Sequence, residues 1–144
     1  MTPMRPFGAL MSVVRTYIVE DNPVILNNLT DTLEELTSVH VMGSAADEMA
    51  AVDGMRNDAR AIDLVIIDVF LASGSGLAVL RSAQEMNLPA RRVVLTNYAT
   101  PDIRRRCAAL GADRVFDKSS EIEDLIDYCS GIGDGSARAP APVG

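Results

Sequence analysis

The 144-residue chain has no tryptophan, a single histidine (His40), a single lysine (Lys118) and two cysteines. One histidine and two cysteines leave no Cys/His spacing of the kind that binds zinc. Cys107 and Cys129 both fall on apolar positions of helical patterns and read as small core residues, not as a disulfide framework. No run approaches the roughly 20 apolar residues of a membrane span. The apolar stretch in residues 1–14 is broken by Gly8 and Ser12 and lacks a small-residue cleavage pattern, so it is not read as a signal peptide. Positive charge is also scarce: 13 basic against 20 acidic residues give a formal charge of −7. Such a chain gains little counterion-release or surface-potential energy, which argues against direct nucleic-acid or membrane binding. A cytoplasmic location is expected.

What is present is globular composition, 48% apolar and 23% charged, at a length that suits one domain. The folded part is expected over 15–130, after an N-terminal extension (1–14) and before a flexible Gly/Pro/Ala-rich tail (131–144). Short apolar runs at 16–19, 39–44, 64–68, 93–96 and 114–116 predict strands. Between them, apolar residues recur at helical spacing: Ile25, Leu29, Leu33 and Leu36, then Met49, Val52 and Met55, a stretch weakened by Gly54. Three more helices follow, marked by Leu77, Leu80 and Ala83, by Ile103, Cys107 and Leu110, and by Ile122, Leu125, Ile126 and Cys129. Asn22–Pro23 and Thr100–Pro101 suit helix entries, and Gly111 a helix end. Five β/α pairs predict an α/β fold whose parallel sheet is covered on both faces.

Ligand sites in such sheets form beyond the carboxyl ends of the strands. Those ends carry Glu20 and Asp21, Asp68, Thr96 and Lys118. If the first and third strands are neighbours, three carboxylates converge and repel unless a cation sits among them. Oxygen ligands of this kind suit Mg²⁺. One carboxylate could then attack a phosphoryl group, with Mg²⁺, Lys118 and the Thr96 hydroxyl balancing the equatorial oxygens. Each residue has a duller use as well: Glu20–Asp21 as a helix cap, Asp68 as a turn residue, Lys118 as a surface charge. Arg104, Arg105 and Arg106 read as a solvated helix face, with a partner-binding patch as the alternative. Arginine usage reflects coding bias, but the one lysine falls where a compact ammonium can reach a phosphoryl oxygen.

Over 15–130 the chain resembles the receiver domains of bacterial response regulators. The resemblance rests on YIVEDN (17–22), IIDVFLASGSGL (66–77), VVLTNYA (93–99) and GADRVFDKSSE (111–121). It implies a flavodoxin-like, doubly wound (βα)5 fold with strand order 2-1-3-4-5. It implies Asp68 as phosphoacceptor, Glu20 and Asp21 as the acidic pair holding Mg²⁺, and the Phe70 carbonyl as a further ligand. Thr96 matches the switch hydroxyl and Lys118 the phosphate-contacting lysine. Partners would be a sensor histidine kinase or histidine phosphotransfer protein and an unidentified downstream protein, with a homodimer as one assembly. Self-catalysed dephosphorylation also belongs to the family.

The chain departs from the family pattern at four positions. Ser119 follows the lysine in place of proline, Val115 stands where a switch aromatic is usual, Ala72 replaces a frequent proline, and Asn97 follows the threonine. Phe70 and Tyr98 flank the expected path of attacking water, where bulky rings would slow hydrolysis. No segment after 130 has the length of an output domain, so a stand-alone receiver acting through helix 4, strand 5 and helix 5 is expected. Alternatives are a relay intermediate, a receiver cut from a longer regulator, and a degenerate receiver that binds without phosphorylation. A flavodoxin-like cofactor binder is disfavoured because EDN-Pro would repel a phosphate. A phosphatase of the Asp-x-Asp type is disfavoured because Phe70 occupies the second acid's place.

Overall fold

All five apolar runs form strands and the helical patterns fill the gaps between them: β1 (Val14–Val19), α1 (Pro23–Leu36), β2 (Val39–Ala45), α2 (Glu48–Asn57), β3 (Leu64–Ile67), α3 (Gly76–Glu85), β4 (Arg91–Thr96), α4 (Pro101–Ala109), β5 (Arg114–Asp117) and α5 (Ile122–Asp134). This is a computed structural model, and it describes residues 13–134. The strands make one parallel sheet in the order β2-β1-β3-β4-β5, as the resemblance implies. The flavodoxin-like expectation therefore holds.

Alternation along the strands sorts side chains to two cores. Val65 and Ile67 of β3 join Ala51 and Met55 of α2, Val79 and Leu80 of α3, and Cys107 of α4. Leu64 and Ile66, one residue out of phase, join Leu29 and Leu33 of α1, and Leu125 and Cys129 of α5. All four β3 residues are buried, which is why that run is continuously apolar. Each fully buried aliphatic side chain contributes about 1.5–3 kcal/mol. Both cysteines are free and buried, as expected of core residues.

Helix entries follow the local signals. Asn22 accepts from the Val24 and Ile25 amides ahead of α1, and Thr100 accepts from Ile103 ahead of α4, each with proline just inside. Asp47 and Ser75 cap α2 and α3 in the same way. Gly54, a weak helix former, is explained by tertiary packing: a Cβ there would overlap the Tyr17 hydroxyl.

Some expectations move. Leu36 is 56% exposed and Met49 77% exposed, although each falls on the apolar spacing of its helix. The buried stripe is narrower than the apolar pattern in both helices. Val14 is already in β1, hydrogen-bonded to Ser38 and paired with Val39, so the sheet begins inside the expected extension. Helix α5 runs through to Asp134, so the expected tail does not begin at 131. Residues 1–12 and 135–144, the rest of the extension and tail, lie outside the described residues. Among the described residues, no helix is long and apolar enough to cross a membrane.

Candidate functional site

Glu20 and Asp21 follow β1, Asp68 follows β3, Thr96 ends β4 and Lys118 follows β5. Because β1 and β3 are hydrogen-bonded neighbours in register up to Val19 and Ile67, the residues just beyond them meet at one sheet edge. One carboxylate oxygen from each of Glu20, Asp21 and Asp68 lies within 4.8 Å of the others. The Lys118 ammonium donates to Glu20 Oε1 at 2.7 Å and to Asp68 Oδ2 at 3.0 Å. Glu20, Asp68 and Thr96 are buried, and the Lys118 side chain is only 10% exposed. Burial alone would pull the Lys118 pKa down, but the hydrogen bonds to Glu20 and Asp68 carry it above the ordinary lysine value. Three carboxylates against one ammonium still leave an excess of negative charge.

Backbone amides orient the acids. Glu20 accepts from the Asn22 amide at 3.0 Å, Asp68 from the Phe70 amide at 3.2 Å, and Asp21 from the Ala72 amide at 2.5 Å. The cap of α1 is Asn22, so the duller reading of Glu20–Asp21 as the cap itself does not hold. The Ala72 contact was not foreseen. A proline at 72 would have no N–H to give Asp21, so the departure from the family pattern itself supplies the donor. Gly76 lets the loop after Asp68 close, because a Cβ there would overlap the Asp68 backbone carbonyl. Glu48 of α2 holds the same loop, accepting from the Ser75 amide at 3.1 Å and donating its own amide to Ser73.

Across the site, the Thr96 carbonyl accepts from the Lys118 amide at 2.9 Å, and the Thr96 hydroxyl accepts from the Tyr98 amide at 3.2 Å. Asp117 accepts from the amides of Ser119 and Ser120 and from the Ser119 hydroxyl, which holds its pKa below the ordinary aspartate value. Ser119 thus secures the Lys118 loop by bonds that proline cannot make. Phe116 is buried on the α1/α5 side, while Val115 packs on the other face, as strand alternation required. Asn97 is exposed and lines a groove of about 380 Å³ between α1 and α5, beside Lys118. Phe70 and Tyr98, 50% and 60% exposed, meet edge to face with ring centroids 5.0 Å apart.

The three arginines of α4 divide. Arg105 and Arg106 pair with Asp102 on the exposed helix surface. Arg104 is instead partly buried and reaches three acceptors outside its helix. It lies three residues before buried Cys107, on the flank of the apolar face; that spacing was the one available signal.

A family model described as the response regulator receiver domain matches residues 16–130. The chain is 28% identical over 150 residues to protein-glutamate methylesterase/protein-glutamine glutaminase 5 of Anaeromyxobacter dehalogenans, an alignment covering 94% of this chain and 41% of that protein. It spans about half the length of the curated relatives it matches, from 33% to 59% of them. The response regulator domain of Thermotoga maritima CheB superposes with a TM-score of 0.74 at 17% identity, covering 90% of this chain and 100% of that one. A chain of the CheX-CheY-BeF3-Mg+2 complex from Borrelia burgdorferi superposes with a TM-score of 0.69 at 20% identity, covering 78% and 87%. At these identities the two solved structures speak for the fold alone.

Proposed function

This chain belongs to the response regulator receiver domains, and we propose that it works as a phosphorylation-dependent switch in a two-component system, with Asp68 as the phosphoacceptor. The observation that carries the reading is the convergence of Glu20, Asp21 and Asp68 within 4.8 Å, with Lys118 bonded to two of them. The donor set is all oxygen and anionic, which fits a hard cation that keeps part of its water. Glu20, Asp21, Asp68 and the Phe70 carbonyl would hold Mg²⁺. Bound there, Mg²⁺ would neutralise the acids and draw charge from the phosphoryl oxygens.

An Asp68 carboxylate oxygen attacks the phosphorus of a phosphohistidine on a sensor kinase or phosphotransfer protein. The new O–P bond forms as the P–N bond breaks, and the bond pair leaves with the histidine, which departs as neutral imidazole keeping the proton already on its other ring nitrogen. Lys118, released from Asp68 Oδ2, donates to one phosphoryl oxygen, and the Thr96 hydroxyl donates to another. In dephosphorylation, water attacks the phosphorus, the Asp68 O–P bond breaks, and carboxylate and inorganic phosphate result. Output passes through protein contacts on the surface of α4, β5 and α5, in the cytoplasm and without direct nucleic-acid contact by this domain.

Incubation with a small phosphodonor, with and without Mg²⁺, followed by intact mass measurement, tests the reading. A Mg²⁺-dependent phosphoryl adduct is expected in wild type and absent in Asp68→Asn. No adduct from a small donor or a cognate kinase would sink it in favour of a phosphorylation-independent binding module.

The paired rings of Phe70 and Tyr98 screen the mouth of the site and slow the entry of hydrolytic water. The Phe70→Asn, Tyr98→Glu double variant should shorten the phosphoryl half-life by about tenfold, equivalent to about 1.4 kcal/mol of barrier. An unchanged half-life would mean that the rings only pack the rim.

A further inference from the structure

Arg104 reaches out of α4 in three directions. Its Nε donates to the Ala99 carbonyl, its Nη1 to the Val115 carbonyl and its Nη2 to Glu121 Oε1, each at 3.0 Å. The same Glu121 oxygen accepts from the Asp117 amide at 2.8 Å, and the Glu121 amide donates back to the Asp117 carbonyl at 2.9 Å. Ala99 belongs to the loop that follows Thr96, and Asp117 directly precedes Lys118. One guanidinium and one carboxylate therefore bridge the two loops that carry the hydroxyl and the ammonium of the site.

The geometry needs this side chain. A planar guanidinium presents five donors in a fixed fork and can serve three acceptors at once, whereas an ammonium is a point charge on a flexible stem. Arg105 and Arg106, on the same helix, pair among the described residues with Asp102 and are well exposed. A groove of about 290 Å³ lies beside the bridge, bordered by Arg104, Val115, Phe116 and Glu121.

We infer that Arg104, acting with Glu121, is the positioning residue that couples the Thr96 loop to the Lys118 loop. A displacement of either loop then moves the other and shifts α4 against β5 and α5. The inference rests on the phosphorylation reading for its role in signalling, but the coupling itself can be measured without phosphate.

Amide hydrogen exchange by NMR on the full chain provides the test, with wild type, Arg104→Ala, Arg104→Lys and Arg105→Ala compared. In Arg104→Ala, exchange at Asp117, Ser119 and Ser120 should accelerate by about tenfold or more, the counterpart of one lost charge-assisted hydrogen bond. Arg104→Lys, which keeps a single bond to Glu121, should fall between, and Arg105→Ala should match wild type. Mg²⁺ affinity should stay within about twofold in all four, since no residue of the acidic cluster touches Arg104. With the small phosphodonor, Arg104→Ala should form the adduct more slowly than Arg104→Lys, and wild type fastest.

Exchange in Arg104→Ala that matches Arg105→Ala, or that rises evenly over the whole domain, would overturn the inference. So would unchanged adduct formation in Arg104→Ala. Absence of an adduct in wild type would overturn the switch reading and the signalling role, while the exchange comparison still decides the coupling.

Discussion

The two edges of the sheet use carboxylates in opposite ways. At the amino-terminal edge, Asp63 accepts from the Arg15 amide at 2.8 Å and from its Nε at 3.1 Å, and Asp113 accepts from the Arg92 amide at 2.8 Å. The backbone returns the bonds, from Asp63 to Arg15 and from Asp113 to Arg92, both at 2.7 Å. Each acid there has its own partner and fastens two neighbouring strands in solvent. At the carboxyl edge, three acids converge beside one ammonium that bonds to two of them, Glu20 and Asp68, and both of those are buried. An exposed ion pair such as Arg15–Asp63 adds little to stability. Unmatched charge out of water is destabilising, and such arrangements concentrate at functional sites.

The largest break in this contrast should come from removing the shared cation. Lys118→Met leaves Glu20 and Asp68 facing each other without compensation and should lower unfolding free energy by about 3 kcal/mol in Mg²⁺-free buffer. Chemical denaturation checks this. Added Mg²⁺ should recover part of the loss, and Lys118→Arg should fold normally yet impair phosphorylation-dependent switching. Equal denaturation midpoints for wild type and Lys118→Met would erase the distinction between the two edges.

A smaller effect separates the edges by metal. Asp21→Asn should weaken Mg²⁺ affinity by about tenfold, or about 1.4 kcal/mol, read by calorimetric titration. Arg15→Ala, at the opposite edge, should leave Mg²⁺ affinity unchanged. If the two variants behaved alike, the acidic cluster would be no more a cation site than the strand fasteners are.

The smallest effect is expected in acid. Two hydroxyl and amide donors from Ser119 hold Asp117 low, and the Arg104 guanidinium holds Glu121 low. Both groups bind protons more readily unfolded than folded. Their contribution is therefore complete above the ordinary carboxylate values and is lost as the pH falls through the lowered folded ones. Protection of the Ser119 and Ser120 amides against exchange should fall as the pH drops below the ordinary carboxylate range, about pH 4. Protection at Ser119 and Ser120 that stays constant across that range would refute a carboxylate-held loop.

Much of this could be read from the chain, for identifiable reasons. The strands were legible because two-sided burial demands unbroken apolar runs such as Leu64–Ile67. The candidate site was legible because Glu20, Asp21, Asp68, Thr96 and Lys118 are chemically distinctive and each sits at a strand's carboxyl end. Leu36 and Met49 misled because helical periodicity marks a face but not how much of it a neighbour covers. The part played by Arg104 was missed because its partners lie 5, 11 and 17 residues away, at distances set by how α4 rests on β5.

Periodicity, capping residues and turn residues are local, so residue order alone settled the element types, the two-faced core and the candidates at the strand ends. Which carboxylates share the ammonium, which amides hold them and which arginine bridges the loops depend on strand order and helix packing. Those are decided by long-range burial, and no short stretch of the chain encodes them.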